Sequence, residues 1–104
     1  MAPSAGLSIL LVCPWTMHIG ALRAALREDG IDAEIATADF TARLRAAFDQ
    51  HQFAAAYYVA TPGLPFDVVD SLVRQRAPKL RLIACADLDG VHAGIRELVL
   101  DRRS

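Results

Sequence analysis

The side chains that could carry out chemistry in this chain lie where its apolar runs end. The first run, residues 7–13, ends in the thiol of Cys13 and is followed by Pro14 and Trp15. A cysteine at the start of a helix can have a lowered pKa and act as a nucleophile, and the helix terminus can hold a phosphate. The alternative is an inert buried thiol beside an indole that covers the core. The sequence leaves both interpretations open.

The third apolar run supplies a phenol and a hydroxyl. Tyr58 lies near the end of residues 53–60, and Thr61 follows that run directly. Tyr58 is either a core tyrosine whose hydroxyl reaches a polar group, as buried tyrosines usually do, or a fixed aromatic floor for a ligand. The fourth run ends at Ala86, which offers no functional group.

The histidines and acids form no metal-ligand pattern. His18, His51 and His92 are isolated in the sequence, and we expect them at the surface. Asp87 and Asp89 are candidates to cap the last helix, because an aspartate readily accepts a hydrogen bond from the first turn. We therefore predict no metal site and no cofactor.

Length, charge and hydropathy argue against several classes of protein. The chain has 104 residues, which predicts one domain over residues 1–104, and its net charge is −1 without a basic stripe, which argues against nucleic-acid binding. Hydrophobic residues make up 54%, but no apolar stretch approaches the ~20 residues of a membrane helix. The two cysteines fall at strand ends and suit a reducing compartment, so we expect a cytoplasmic protein.

Four apolar runs alternate with four helical patterns, which predicts a βα unit repeated four times. Nearly continuous runs suit central parallel strands, whereas polar alternation in the second run suits an edge strand. Right-handed crossovers then give a three-layer α/β/α domain with an open parallel sheet of four strands in the order 2-1-3-4. Gly30 is expected to close the first helix. The strands are expected at residues 7–13, 31–37, 53–60 and 80–86, and the helices at residues 16–29, 40–48, 65–77 and 91–102.

Three stretches of the sequence resemble the receiver domain of bacterial response regulators. They are similar to the family's first strand and helix, to the loop after its third strand, and to the segment that leads into its fourth strand. In this sequence the stretches are residues 9–12 with residues 21–30, Thr61-Pro62-Gly63, and residues 77–83. The likeness covers nearly the whole chain, and it implies a flavodoxin-like fold and a role in two-component signal transduction.

The residues on which phosphorylation depends in that family are replaced here. The resemblance matches the family's Mg²⁺-binding acidic pair to Cys13 and Pro14, its phosphorylated aspartate to Tyr58, and its phosphate-orienting hydroxyl to Ala86. Mg²⁺ requires hard oxygen ligands, and phosphoryl transfer relies on that cation and on positioned charge. The resemblance therefore implies a receiver-like domain without a Mg²⁺ site and without an aspartyl phosphate. Tyr58 could then be a fixed aromatic that replaces the phosphorylated state.

The pattern stops after a fourth βα unit, before the family's fifth strand and its lysine. Strand four is therefore expected to be an apolar edge with unpaired backbone groups, next to helix faces that a fifth helix would cover. Such edges and patches favour association. We expect a homodimer, with a signalling-protein partner or a longer chain as the alternatives.

Three functions stay open on the sequence. The first is a protein–protein interaction or regulatory module in bacterial signal transduction, with no enzymatic activity, no nucleic-acid binding of its own and no membrane contact. The second is an atypical receiver that senses a small molecule in an apolar crevice, to which Cys85 would contribute. The third is a phosphocarrier similar to phosphotransferase-system IIB proteins of the lactose and cellobiose type, which would use Cys13. The expected binding crevice at the strand ends comprises Cys13, Pro14, Trp15, Tyr58, Thr61 and Ala86.

Overall fold

A computed structural model of the chain describes residues 7–14 and 17–103. Its strands form one parallel sheet in the order β2-β1-β3-β4, with helices on both faces, as the alternating pattern predicts. This is the architecture of a flavodoxin-like α/β fold. The elements are β1 (Leu7–Val12), α1 (Ile19–Glu28), β2 (Ala33–Ala38), α2 (Thr41–Gln50), β3 (Ala55–Val59), α3 (Phe66–Arg76), β4 (Leu82–Cys85) and α4 (Leu88–Arg103).

The central strand β1 divides the core into two clusters, because successive side chains of a strand point to opposite faces. Ile9, Leu11 and Cys13 face α1 and α4, whereas Leu10 and Val12 face α2 and α3. Helical apolar stripes close each side. The first cluster contains Leu22, Leu26, Val91 and Ile95, and the second contains Leu44, Val69, Leu72 and Val73.

The two ends of α1 differ in how well the sequence predicts them. Gly30 closes the helix as expected: its φ is +73°, and its N–H and that of Ile31 donate to the carbonyls of Arg27 and Leu26. The start at residue 16 is wrong, since α1 begins at Ile19. The N–H of Met17 donates to the carbonyl of Pro14 at 3.0 Å, so a turn precedes the helix.

The last helix begins three residues earlier than its apolar stripe predicts, at Leu88. The Oδ1 atom of Asp87 accepts a hydrogen bond of 3.0 Å from the N–H of Gly90. This is the geometry of an N-cap, and it satisfies an amide that has no partner inside the helix. Asp87 is therefore the capping residue, and Asp89 lies in the first turn.

The helix α4 packs on the same face of the sheet as α1. Its His92 is not isolated, as its place in the sequence suggested, because its Nε2 atom lies 2.6 Å from Oδ2 of Asp29, at the end of α1. The Nε atom of Arg96 lies 3.6 Å from the same oxygen. The face beside α1 is thus covered by α4 rather than left bare.

The position of α4 also has a topological consequence. A right-handed crossover from β4 to a strand beyond it would place the connecting helix on the face of α2 and α3. Because α4 lies on the opposite face, it is not placed as such a crossover. The outer side of β4 pairs with no other strand of the described residues.

A glycine lets α4 approach the sheet closely. A Cβ atom on Gly94 would lie 2.7 Å from Cε1 of Tyr57, whose ring is 1% exposed. The ring is held in the core and cannot move aside without disturbing its neighbours. Burial also raises the pKa of Tyr57 to about 12.

We expect Gly94→Ala to lower the free energy of unfolding by about 1–3 kcal/mol, because the added methyl overpacks the contact with Tyr57. The matched control is Gly20→Ala in α1, where a Cβ has no neighbour within 4 Å. Both substitutions gain helix propensity, so their difference reports the clash. Urea unfolding followed by circular dichroism measures both. Equal stabilities of the two variants would contradict this account of how α4 is seated.

Candidate functional site

The carboxyl ends of β1 and β2 enclose a small cavity of about 180 Å³. Cys13 and Pro14 form one wall, as expected for the end of the first strand. Asp39 and Arg43, which follow β2, line the cavity as well. The N–H of Cys13 donates to the carbonyl of Ala38 at 3.1 Å, which holds the two strand ends together.

Asp39 is a site residue that the sequence reasoning missed. The expected crevice takes its residues from the ends of the first, third and fourth strands, but the end of β2 lies at the same edge of the sheet. The Oδ1 atom of Asp39 is buried and accepts no hydrogen bond within the described chain, and Nη1 of Arg43 lies 3.6 Å away. That distance allows an ion pair but exceeds a hydrogen bond. The acid directly after the second strand was the signal available in the sequence.

Cys13 lies in surroundings that disfavour its thiolate. Burial raises the pKa of the Cys13 thiol, and the carboxylate of Asp39 raises it further. The residue is 2% exposed, and it lies before the turn that leads into α1 rather than at the first turn of the helix. Reactive cysteines have the opposite surroundings, electropositive and partly exposed. The geometry therefore favours an inert thiol at this position.

Tyr58 faces the other side of the sheet and organises the loop after β3. Its hydroxyl donates to the carbonyl of Leu64 at 2.9 Å, and the N–H of Thr61 lies 3.4 Å from the hydroxyl oxygen. Its ring meets Phe66 edge to face, with centroids 5.4 Å apart. Thr61 is buried, and its hydroxyl donates to the carbonyl of Val59 at 2.7 Å. These contacts favour the core interpretation of Tyr58 over a ligand floor.

The expected crevice is thus divided among separate places in the fold. Cys13 and Pro14 line the cavity between β1 and β2, whereas Tyr58 and Thr61 bond to each other on the side of α2 and α3. Ala86 is exposed after β4. Trp15 lies outside the described residues.

A larger groove of about 580 Å³ lies between β4 and α4. Its floor contains Ile83, which is 38% exposed, and Cys85. Gly90 and Gly94 of α4 line it on the helix side. Burial, and then the carboxylate of Asp87, raises the pKa of Cys85.

The two edge strands of the sheet differ in their protection from further strand pairing. At β2, Nη2 of Arg23 donates to the carbonyl of Ile35 at 3.2 Å, and Glu34 is exposed on the strand. A side chain that binds an edge carbonyl, together with edge charges, protects a strand from further pairing. At β4 the exposed residues are Ile83 and Ala84, which give no such protection.

We compared the chain with protein-family models, with curated proteins and with solved structures, and none of these comparisons gave a match. The resemblance to receiver domains therefore stays a prediction carried by the matching stretches of sequence. Within residues 7–14 and 17–103 no group of histidines, cysteines and acids could hold a metal ion. No helix in this part of the chain is long and apolar enough to cross a membrane.

The raised pKa of Cys13 predicts slow alkylation at neutral pH. In a Cys85→Ala background, we expect iodoacetamide to label the folded chain at least ten times more slowly at pH 7 than the urea-unfolded chain, because a raised pKa lowers the thiolate fraction. Asp39→Asn removes one cause of the shift, so its rate-against-pH curve should move to lower pH. Asp49→Asn, on the exposed side of α2, is the control and should leave the curve in place. A folded-state midpoint below ~8.5 would contradict the assignment.

Proposed function

We propose that this chain is a receiver-like domain that acts as a protein–protein interaction module in bacterial signal transduction without being phosphorylated. The observation that carries the proposal is the open outer edge of β4 beside the groove of α4. The signalling context comes from the resemblance of the sequence to receiver domains. The binding role comes from the physical properties of that edge.

The backbone of β4 presents free hydrogen-bonding groups at this edge. The carbonyl of Arg81 accepts the N–H of Ala56 from β3 at 3.0 Å, so that residue faces inward. Along a strand the peptide groups of alternate residues face opposite sides. Leu82 and Ala84 therefore direct their N–H and C=O groups away from β3. A partner strand could bind them by extending the sheet.

The strand ends support a role without phosphoryl transfer. The positions that correspond to the family's metal-binding acids hold Cys13 and Pro14, and Tyr58 uses its hydroxyl to bind Leu64. Asp39 brings a carboxylate to this edge of the sheet, but Arg43 lies beside it. A magnesium site requires several oxygen ligands at octahedral positions, and these residues do not supply them.

The two alternative functions have less support. A small-molecule sensor at the strand ends would need a larger site, since the cavity beside Cys13 has about 180 Å³ and ligand pockets usually have ~300–1,000 Å³. The groove of about 580 Å³ between β4 and α4 reaches that size, but it contains Cys85 and neither Cys13 nor Tyr58. A phosphocarrier would need a nucleophilic thiolate, whereas burial raises the pKa of Cys13. Binding at the open edge of β4 requires neither an enclosed ligand cavity nor a reactive thiolate.

The proposal predicts that a small phosphodonor leaves the chain unmodified. We expect no phosphate adduct in the intact-mass spectrum after incubation with acetyl phosphate and Mg²⁺, because no group here combines an acceptor aspartate with a bound cation. A response-regulator receiver that retains its acidic residues serves as the positive control. A Mg²⁺-dependent adduct that disappears in Asp39→Asn would contradict the proposal and identify Asp39 as the acceptor.

It also predicts that binding partners contact β4 and not β2. A photo-crosslinking amino acid at Ala84 should give covalent adducts in cells that express the protein, whereas the same group at Glu34 should give none. Both positions are on edge strands, and the strand register directs both side chains to the same face of the sheet. Absence of adducts at Ala84 would refute the binding role of this edge.

A further inference from the structure

We propose that the partner bound at β4 is a second copy of this chain, and that the two β4 strands pair antiparallel about a twofold axis at Ala84. The inference rests on the proposed function, because it takes the β4 edge as the binding surface. It goes further by naming the occupant and the register. Backbone geometry and the charges that flank β4 carry the argument.

The backbone limits which residues can face each other. Two identical antiparallel strands in one sheet are related by a twofold axis perpendicular to that sheet. A residue whose peptide groups point outward must therefore face another residue whose peptide groups point outward. Leu82 and Ala84 direct their peptide groups outward, since Arg81 faces β3. An axis at Ala84 pairs this residue with its own copy and pairs Leu82 with Ala86. The pair on the axis is a hydrogen-bonded pair of an antiparallel ladder, and Ala86 directly follows the end of β4.

The charges around β4 have opposite signs at its two ends. Lys79 and Arg81 precede the strand, and Asp87 and Asp89 follow it, and all four are exposed. Antiparallel pairing brings the basic end of one copy to the acidic end of the other. Parallel pairing would bring like charges together, which is unfavourable between neighbouring strands.

The axis at Ala84 matches these charges most closely. Arg81 and Asp87 each lie three residues from Ala84 in the sequence, and Lys79 and Asp89 each lie five. Arg81 therefore faces Asp87 of the second copy, while Asp89 in the first turn of α4 adds negative charge at the same end. The capping bond of Asp87 uses Oδ1, which leaves Oδ2 for the guanidinium.

The same register covers the apolar part of the edge. Ile83, which is 38% exposed, comes to lie opposite Cys85 of the second copy. Ala84 on the axis has a small side chain, so two copies can approach without a clash at that point. The contact is isologous, because the same surface serves both copies, and it closes as a dimer without further growth. The edge of β2, where Arg23 binds the carbonyl of Ile35, stays outside the contact.

Sedimentation equilibrium with charge variants tests the contact. We expect a wild-type dimer, and we expect Arg81→Glu to raise its Kd at least tenfold because both symmetry-related pairs become repulsive. Asp87→Lys should do the same, with circular dichroism to verify folding after loss of the cap. Asp87→Asn keeps a good capping residue and removes only the charge, so it should also weaken the dimer. A mixture of the Arg81→Glu and Asp87→Lys chains should form a heterodimer, since both pairs become attractive again.

Disulfide trapping tests the register without relying on charge. In a Cys85→Ala background, Ala84→Cys should form an intermolecular disulfide on mild oxidation, because hydrogen-bonded antiparallel pairs have Cα atoms ~5.5 Å apart, within the range of a disulfide. Ile83→Cys tests the neighbouring register and should not cross-link, and Glu34→Cys tests the edge of β2 and should not cross-link either.

Three results would overturn the inference: a monomer at every concentration, a dimer that Arg81→Glu leaves unchanged, or cross-linking at Ile83 or Glu34 instead of Ala84. A monomer that still gives photo-adducts with another protein at Ala84 would refute the self-association and leave the proposed function standing. A monomer without any adduct at Ala84 would refute both.

Discussion

The contact between Gly94 of α4 and the buried ring of Tyr57 is the constraint on which the arrangement of this domain depends. A Cβ atom at Gly94 would lie 2.7 Å from that ring, so only a residue without a side chain allows α4 to approach the sheet this closely. The hydrogen bond between Nε2 of His92 and Oδ2 of Asp29 ties α4 to the end of α1. With α4 held on that face, β4 keeps an outer edge that this helix does not connect to a further strand.

The two edge strands of the sheet differ in how well they are protected from pairing with another chain. Both are edges of one parallel sheet, yet Arg23 binds a carbonyl of β2 while β4 presents Ile83 and Ala84. Unprotected edges are a liability in a monomer, because they can pair with other chains. Basic residues before β4 and acidic residues after it make this edge complementary to itself in the antiparallel direction. In the proposed dimer, this complementarity of charge favours one direction and one register, whereas aggregation has no such preference.

The polar side chains at the strand ends make contacts that hold the structure. Tyr58 uses its hydroxyl to hold the loop after β3 through Leu64, and Thr61 binds the backbone of the same segment. Cys13 is buried next to Asp39, whose charge disfavours a thiolate. The hydroxyls of Tyr58 and Thr61 therefore serve the fold, and the surroundings of Cys13 disfavour its thiolate. Oδ1 of Asp39 is the exception among these described groups, because it is buried and accepts no hydrogen bond within the described chain.

The sequence by itself determined the element types, the strand order and the lack of metal ligands at the first and third strand ends. These follow from local periodicity, from the handedness of crossovers and from residue identity, none of which needs a distant contact. Only the tertiary structure decided that α4 lies beside α1, that Asp39 joins Cys13 in one cavity, and that Tyr58 faces away from it. Each of these depends on residues that are far apart in the chain and meet through packing. Periodicity reports which face of an element is apolar, and the partner of that face is a property of the folded molecule.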